Sequence, residues 1–256
     1  MKKILALAIT ALTLLPSCMM AQDKFEASLS CDLVSEYMWR GIHMADISLQ
    51  PEVTISWKGL SLDATASTGF DKDDLKDIDI TLAYSRWGFN IGVIDYWLDG
   101  VDPRNRYFYF SNDHDCPHQL EANIGYTCKY GSIQAYTMFY GNDYKINGDR
   151  AYSTFIEVSV PFRAGGLDWD VRAGITPMES SGISYEEQIT TETGRTKTVT
   201  RGDWMYGESF TCNMASIRAT KNFEFKKFRL PVYVELHANP YLQRANLLLG
   251  ISISTL

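Results

Sequence analysis

Alternating apolar and polar residues dominate the chain from Leu49 onward and set a pattern that later segments repeat. The runs 49–57 and 60–66 alternate one residue at a time and are separated only by Lys58-Gly59. A period of two residues is that of a β-strand with one apolar and one polar face. A Gly in a two-residue link between such runs predicts a tight hairpin. The chain therefore predicts a series of antiparallel hairpins.

Twelve strands follow from this pattern, and the connections between them alternate in length. The predicted strands are 24–39, 47–57, 60–69, 76–86, 89–97, 118–128, 132–141, 151–162, 167–176, 209–224, 230–239 and 246–256. Short and long connections alternate along the chain. Every second connection is a short turn, and the others are longer, the longest being the segment 177–208. A soluble sandwich has no reason to sort its loops by length, but an outer-membrane barrel has short periplasmic turns and long external loops. The sequence predicts an all-β, antiparallel, up-and-down transmembrane β-barrel that forms one domain over residues 22–256.

The two faces of the predicted strands fit a barrel in lipid, with apolar side chains outside and polar ones inside. Alternation alone does not exclude a secreted β-sandwich, whose apolar face would be its core. Aromatic residues near strand ends favour the barrel, because aromatic girdles lie at membrane interfaces. These are Trp39, Trp57, Tyr84, Trp87, Phe89, Tyr126, Tyr152, Phe162 and Tyr241.

The alternation slips at two places. In strand 89–97, Val93 and Ile94 compete for the outward face, and the phase changes again between Met214 and Ile217. Each place is a candidate β-bulge or a misplaced strand boundary.

Residues 1–21 have the composition of a cleaved secretory signal peptide. Two lysines precede an apolar run that ends at Leu15, and the small residue Ala21 ends the segment. The apolar run is shorter than the roughly 20 residues of a membrane-spanning helix. A lipoprotein signal with Cys18 lipidated is the alternative, although Pro16 fits that pattern poorly. Export and the barrel pattern together predict the outer membrane of a Gram-negative bacterium.

The mature chain is acidic. The whole chain has 24 basic and 31 acidic residues, and the predicted leader removes two lysines, which leaves a net charge of −9. Nucleic acid is not an expected partner, because its binding needs a basic face. The expected partners are outer-membrane lipid, small polar solutes and the barrel-assembly machinery during insertion.

Four cysteines remain after cleavage: Cys31, Cys116, Cys128 and Cys212. Export permits disulfides, and four cysteines allow three pairings, so the disulfide status is open. Cys31 and Cys128 fall on the apolar phase of their strands, which favours small buried or lipid-facing residues.

Several short segments carry a family resemblance. The segment 35–41, Ser-Glu-Tyr-Met-Trp-Arg-Gly, resembles the Tyr-x-x-Arg-Gly start of TorF-type porins of Gram-negative outer membranes, and further segments resemble the version of that family in Bacteroides-like bacteria. These further segments are 95–97, 117–121, 151–154, 230–232 and 239–240. The resemblance implies a barrel more firmly than it implies transport. Cys116 departs from the family pattern, which has a small polar residue before Pro117-His118.

The predicted lumen face carries the candidate constriction. Glu36 and Arg40 lie four residues apart on the polar phase of the first predicted strand, near its external end. Opposed rings of charge select solutes in pores, so Arg40 facing lumen acids predicts a constriction, with a structural ion pair as the alternative. An excess of acids favours cations or neutral polar solutes. The candidate lumen and constriction residues are Glu36, Arg40, Glu52, Asp79, Glu121, Glu157, Asp168, Asp170, Arg172, Glu235 and His237.

Signals for other chemistry are weak. The segment 114–118, His-Asp-Cys-Pro-His, has residue types that bind zinc, but an irregular Pro-containing loop is a poor scaffold for such a site. No phosphate loop, dinucleotide fingerprint or Ser-His-acid signature occurs, so we expect no cofactor, no metal and no enzyme.

The predicted function is a passive channel for small polar solutes. The first alternative is a closed barrel that acts as a structural or interaction protein through the external loops 98–117 and 177–208, the second of which alternates as a hairpin would. The other alternative is a membrane-embedded lipid hydrolase, since Glu235 and His237 share one face of a strand.

Overall fold

The computed structural model describes residues 25–71, 74, 76–102, 104–111, 116–190, 196–225 and 228–254. The predicted leader, including Cys18, lies outside the described residues. The described residues form sixteen strands: β1 Phe25–Val34, β2 Tyr37–Trp39, β3 Ile42–Ala45, β4 Ser48–Trp57, β5 Leu60–Gly69, β6 Lys76–Arg86, β7 Phe89–Leu98, β8 His118–Cys128, β9 Gly131–Tyr140, β10 Thr154–Ala164, β11 Leu167–Thr176, β12 Gly182–Thr190, β13 Thr196–Trp204, β14 Thr211–Glu224, β15 Arg229–Asn239 and β16 Arg244–Ser254. Within these ranges no helix is long and apolar enough to cross a membrane.

Twelve of these strands form a closed, antiparallel barrel, which confirms the predicted fold class. Neighbours in the chain are neighbours in the wall, and β1 pairs with both β4 and β16 to close it. The pairs β2–β3 and β12–β13 are separate two-stranded hairpins. Closure leaves no unpaired strand edge in the wall. A sheet in lipid needs this, because lipid cannot hydrogen-bond the free backbone groups of an edge.

The two ends of the barrel differ in their connections. At one end, here called the turn end, neighbouring strands are joined by residues 58–59, 87–88, 129–130, 165–166 and 225–228. At the other, the loop end, the connections are 35–47, 70–75, 99–117, 141–153, 177–210 and 240–243. Lys58 and Gly59 both have positive φ, 52° and 89°, as in the type I′ turn that the sequence predicts.

The outer wall of the barrel is apolar. Large aliphatic side chains point outward and are exposed, with 53% of Leu29, 58% of Ile91 and 62% of Leu247 accessible. Trp57, Trp87 and other aromatic residues surround the turn end. Trp39 is an exception to the predicted girdle, because it lies inside the barrel and is only 1% exposed.

The two predicted phase slips have different outcomes. Strand β7 alternates without interruption, with Val93 outward and Ile94 inward. The slip predicted in this strand is therefore wrong. Strand β14 does contain a bulge, at Asn213, where the register against β11 shifts. It lies one residue before the predicted interval.

All four described cysteines have free thiols. Cys31 and Cys128 are half-buried in the wall, Cys116 is buried, and Cys212 is exposed.

Candidate functional site

The segment after β1 leaves the wall and forms a hairpin. The first strand was predicted to continue to residue 39, but β1 ends at Val34 and the chain turns back at Arg40-Gly41 between β2 and β3. Arg40 and Gly41 have φ of 47° and 83°, so this is another two-residue turn with both φ values positive. A Cβ on Gly41 would lie 2.0 Å from the carbonyl oxygen of Asn213. The turn therefore needs Gly both for its backbone and for its close packing.

This hairpin, β2–β3, crosses the lumen and plugs it. Trp39 packs edge-on against Tyr96 of β7, with ring centroids 6.3 Å apart. On the other side, the Asn239 side chain of β15 donates a hydrogen bond to the carbonyl oxygen of Gly41 at 3.0 Å. Because β7 and β15 are six strands apart in a wall of twelve, they stand on opposite sides of the barrel. Residues 37–45 are thus the plug of this barrel.

A buried ion pair fixes the plug to the wall. Arg40 donates two hydrogen bonds to Glu121 of β8, at 2.7 and 2.8 Å, and Glu121 is fully buried. The hydroxyl of Tyr96 donates to the same carboxylate at 2.7 Å. The guanidinium carbon also lies 4.1 Å from the ring centroid of Tyr136 and 5.0 Å from that of Phe155. Arg40 therefore meets an acid inside the barrel from a turn and not from a wall strand.

A second segment of the loop end packs against the plug. Tyr206, in the loop 177–210, is 1% exposed, and its hydroxyl accepts a hydrogen bond from Arg40 at 2.8 Å. The backbone around it is held by the Ser180 hydroxyl, which accepts from the amides of Tyr206 and Gly207 at 2.9 and 3.1 Å. Burial raises the pKa of the Tyr206 hydroxyl well above its usual range. The arms of the hairpin predicted in this loop are confirmed as β12 and β13.

A second charged cluster lies next to the plug. Arg218 binds Glu235 at 2.6 Å, and Glu235 also bonds the Nδ1 of His237 at 3.1 Å. Arg172 donates to Asp170 at 2.5 Å. Between plug and cluster is a cavity of about 60 Å³, enough for a few water molecules. Its lining is Met38, Trp39, Arg40, Glu157, Arg172, Met214, Arg218, Glu235, His237 and Leu248.

The remaining predicted site residues are dispersed. Glu36 accepts a hydrogen bond from Asn246 at 2.6 Å and lies outside the Arg40 ion pair. The expected place of Glu36 and Arg40 on the first wall strand is wrong, because β1 ends at Val34. Glu52 accepts from Ser30 at 3.2 Å in the wall. Asp168 is at the turn end, where Asn222 donates to it at 2.6 Å. Asp79 is buried on β6.

Sequence reasoning missed three partners in these clusters, Tyr96, Tyr206 and Arg218. Tyr206 lies in an irregular loop, where no periodicity predicts an inward side chain. The phase of Arg218 was obscured by the bulge at Asn213, after which Ser216 and Arg218 alternate inward regularly.

The predicted weak metal segment is only partly described, since His114 and Asp115 lie outside the described residues. His118 bonds Asp95 at 2.8 Å and the carbonyl of Tyr107, and its ring stacks on Phe110 at 3.9 Å. Its ring nitrogens are therefore engaged by protein groups. In the part of the chain that the structure describes, no group of three or more His, Cys, Asp or Glu residues is placed to hold a metal.

The loop that covers His118 carries an ion pair of its own. Arg106 donates to Asp102 through Nε at 2.8 Å, and this guanidinium holds the pKa of Asp102 well below its usual range. The carboxylate also accepts the backbone amides of Arg104 and Arg106.

Fold and site together define an up-and-down β-barrel with an apolar outer wall and a plugged, polar lumen. No protein-family model matches the chain, and no curated protein matches it. Among solved structures, OmpF from Salmonella typhi in complex with daunomycin aligns over 91% of this chain and 97% of its own, with 10% identity and a TM-score of 0.35. CdiB from Acinetobacter baumannii aligns over 91% of this chain and 60% of its own, with 9% identity and a TM-score of 0.35. These similarities are too distant to assign a function.

Proposed function

We propose that the protein is an outer-membrane β-barrel that is closed at its loop end by the plug and acts through its external loops as a structural or interaction protein. The observation that carries the proposal is the plug itself, which touches opposite walls and places Trp39 and the Arg40–Glu121 pair almost completely out of solvent. A passive channel would need a continuous wet path, and buried aromatic rings fill the lumen at this level.

The membrane location is supported by the outer wall. Soluble monomers rarely expose a continuous apolar surface of more than a few hundred Å². Here exposed Leu, Ile and Val side chains extend around the barrel on successive strands, and aromatic residues surround the turn end. Lipid is the solvent that such a surface needs. The resemblance to TorF-type porins stays a prediction.

A channel that opens when the plug leaves is the second candidate, and the charged cluster beside the plug favours it. The charges that line the cavity are Arg40, Arg172 and Arg218 against Glu157 and Glu235. With the plug displaced, the lumen would expose both positive and negative side chains at this level. We therefore expect weak selectivity between ions there, in place of the cation preference that an acidic lumen face implies.

The hydrolase alternative is not supported by this arrangement. Ser216 lies directly across from His237 in the β14–β15 pair. However, neither the Ser216 hydroxyl nor the His237 Nε2 has a hydrogen-bond partner, so the two are not bonded to each other. A nucleophilic serine needs such a base within hydrogen-bond reach.

Conductance of the refolded mature chain in a planar lipid bilayer, under a salt gradient, tests the proposal. We expect the wild type to insert without conducting, and a variant with residues 37–45 replaced by a short Gly-Ser link to give discrete current steps. Arg163→Ala, at the turn end, is the matched control and should be as silent as the wild type. Steady wild-type steps as large as those of the plug variant would contradict the closed barrel. A chain that folds but does not enter lipid would contradict the membrane location.

A further inference from the structure

Two carboxylates on β6 are buried with no visible compensation. Asp77 and Asp79 alternate inward, one pleat apart, and are 2% and 1% exposed. None of their four side-chain oxygens accepts a hydrogen bond of ordinary geometry, and the backbone of Ser67 gives Asp77 only a weak one. A buried, unpaired carboxylate is among the most unfavourable groups in a protein, so something must satisfy these two.

Positive side chains do not neutralise this pair. Among the described residues, no Lys, Arg or His lies within ion-pair distance of either carboxylate. Arg40, the base in the plug, is bound through both terminal nitrogens to Glu121.

Further oxygen atoms lie near the two carboxylates on two other elements, β5 and the plug. Across the β5–β6 pair, Ser67 lies opposite Asp77 and Thr65 opposite Asp79, and both are buried. From the plug, the hydroxyl of Tyr37 is close enough to interact electrostatically with both carboxylates. Tyr37 is 6% exposed, and its hydroxyl also lacks a hydrogen-bond partner. A neutral group on a different element is thus left unsatisfied beside the same carboxylates.

We propose that Asp77 and Asp79, together with the hydroxyl of Tyr37, bind one hard divalent cation of the Ca²⁺ class. Such ions take oxygen ligands, carboxylates above all, and one divalent ion balances two unpaired carboxylates. The ion satisfies at once the carboxylate oxygens on the wall and the phenol on the plug. It therefore ties residue 37 of the plug to β6, whether or not the barrel conducts.

The loop end above this site is acidic, which favours entry of a cation. Asp74 accepts hydrogen bonds from the amides of Asp71 and Asp46, at 2.9 and 3.4 Å, so three acids gather beside the start of β6. Clustered charge of one sign raises the local concentration of the opposite ion.

The test uses the full mature chain, folded in detergent and stripped with a chelator. Binding of Ca²⁺ is measured by equilibrium dialysis, with Mg²⁺ as the comparison ion, and thermal unfolding is followed with and without Ca²⁺. We expect one Ca²⁺ per chain and a higher unfolding temperature when it is bound. The double variant D77N/D79N, which keeps the side-chain shapes, should lose both effects. Tyr37→Phe should weaken binding by about tenfold, because one ligand is lost.

Asp63→Asn provides the matched control. Asp63 is on neighbouring β5 and accepts a hydrogen bond from Ser61 at 3.2 Å, so its carboxylate is already satisfied. This variant should bind Ca²⁺ like the wild type. Binding retained in D77N/D79N would place the ion elsewhere and overturn the proposal. No binding by the folded wild type, with an unfolding temperature that rises as the pH is lowered, would overturn it in favour of protonated carboxyls.

Discussion

The two halves of the lumen contrast sharply, although the same twelve strands build both. In the loop half the inward residues are buried, and large ones such as Tyr96, Met138 and Phe155 are 0% exposed. In the turn half they are small or polar and only half-buried, as with the paired amides of Asn90 and Gln134. One face of a strand can therefore be a packed core at one end and a wet wall at the other.

The largest expected difference in stability between the two ends concerns the buried Arg40–Glu121 ion pair. Glu121→Ala leaves Arg40 buried without its counter-charge, and breaking a buried pair in this way costs about 3–5 kcal/mol. Urea unfolding of the lipid-inserted protein, followed by tryptophan fluorescence, measures the change in the free energy of unfolding.

Arg163→Ala is the turn-end counterpart, because its pair with Asp168, at 3.6 Å, is exposed. Exposed pairs contribute about 0–1 kcal/mol. Equal losses from Glu121→Ala and Arg163→Ala would remove the contrast between the two ends.

Gly41→Ala tests how tightly the plug is packed. The added Cβ would overlap the Asn213 carbonyl, and overpacking costs about 1–3 kcal/mol. The positive φ adds about 1–2 kcal/mol. Gly100→Ala is matched in φ, at 79°, but a Cβ there meets nothing within 4 Å. The difference between these two variants in urea unfolding isolates the packing contribution, and a difference of zero would mean that the plug yields freely.

Asn239→Ala should have a smaller but clear effect. It removes the hydrogen bond to the Gly41 carbonyl, and leaving a buried acceptor unsatisfied costs about 1–3 kcal/mol. We also expect faster hydrogen exchange at the amides of the plug, since that bond fixes its tip. Unchanged exchange rates there would show that the plug is held from the β8 side alone.

Gln134→Ala should have the smallest effect, below about 1 kcal/mol in the same unfolding experiment. It deletes an amide partner as Asn239→Ala does, but in the turn half, where Asn90 can bond to water instead. A loss as large as that of Asn239→Ala would indicate that the turn half is as dry as the loop half.

The wall was predictable from sequence because its signals are local. Period-two alternation and Gly-containing links such as Lys58-Gly59 determine strands, turns and faces within a few neighbouring residues. The plug carries the same kind of signal at Arg40-Gly41, but in the sequence the alternation of the first strand runs on to residue 39 without a break. Its partner Glu121 is 81 residues away, and no local pattern encodes that contact.

Within the site, the sequence did not predict which inward residues are buried or which of them meet, because long-range packing determines both. Asp79 was identified as a lumen residue, while Asp77, two residues before it on the same face, was not. Neither the burial of this pair nor the position of Tyr37 beside it follows from alternation, because both depend on where the plug lies.

The hydrogen bond between Asn239 and Gly41 joins residues 198 positions apart and thereby constrains the order of assembly. The plug belongs to the earliest part of the barrel to be synthesised, whereas this partner belongs to the penultimate strand of the wall. Contacts of such separation form late, because the loop between them must first be closed. We therefore expect a stage of assembly at which much of the wall has formed and its interior is still unfilled.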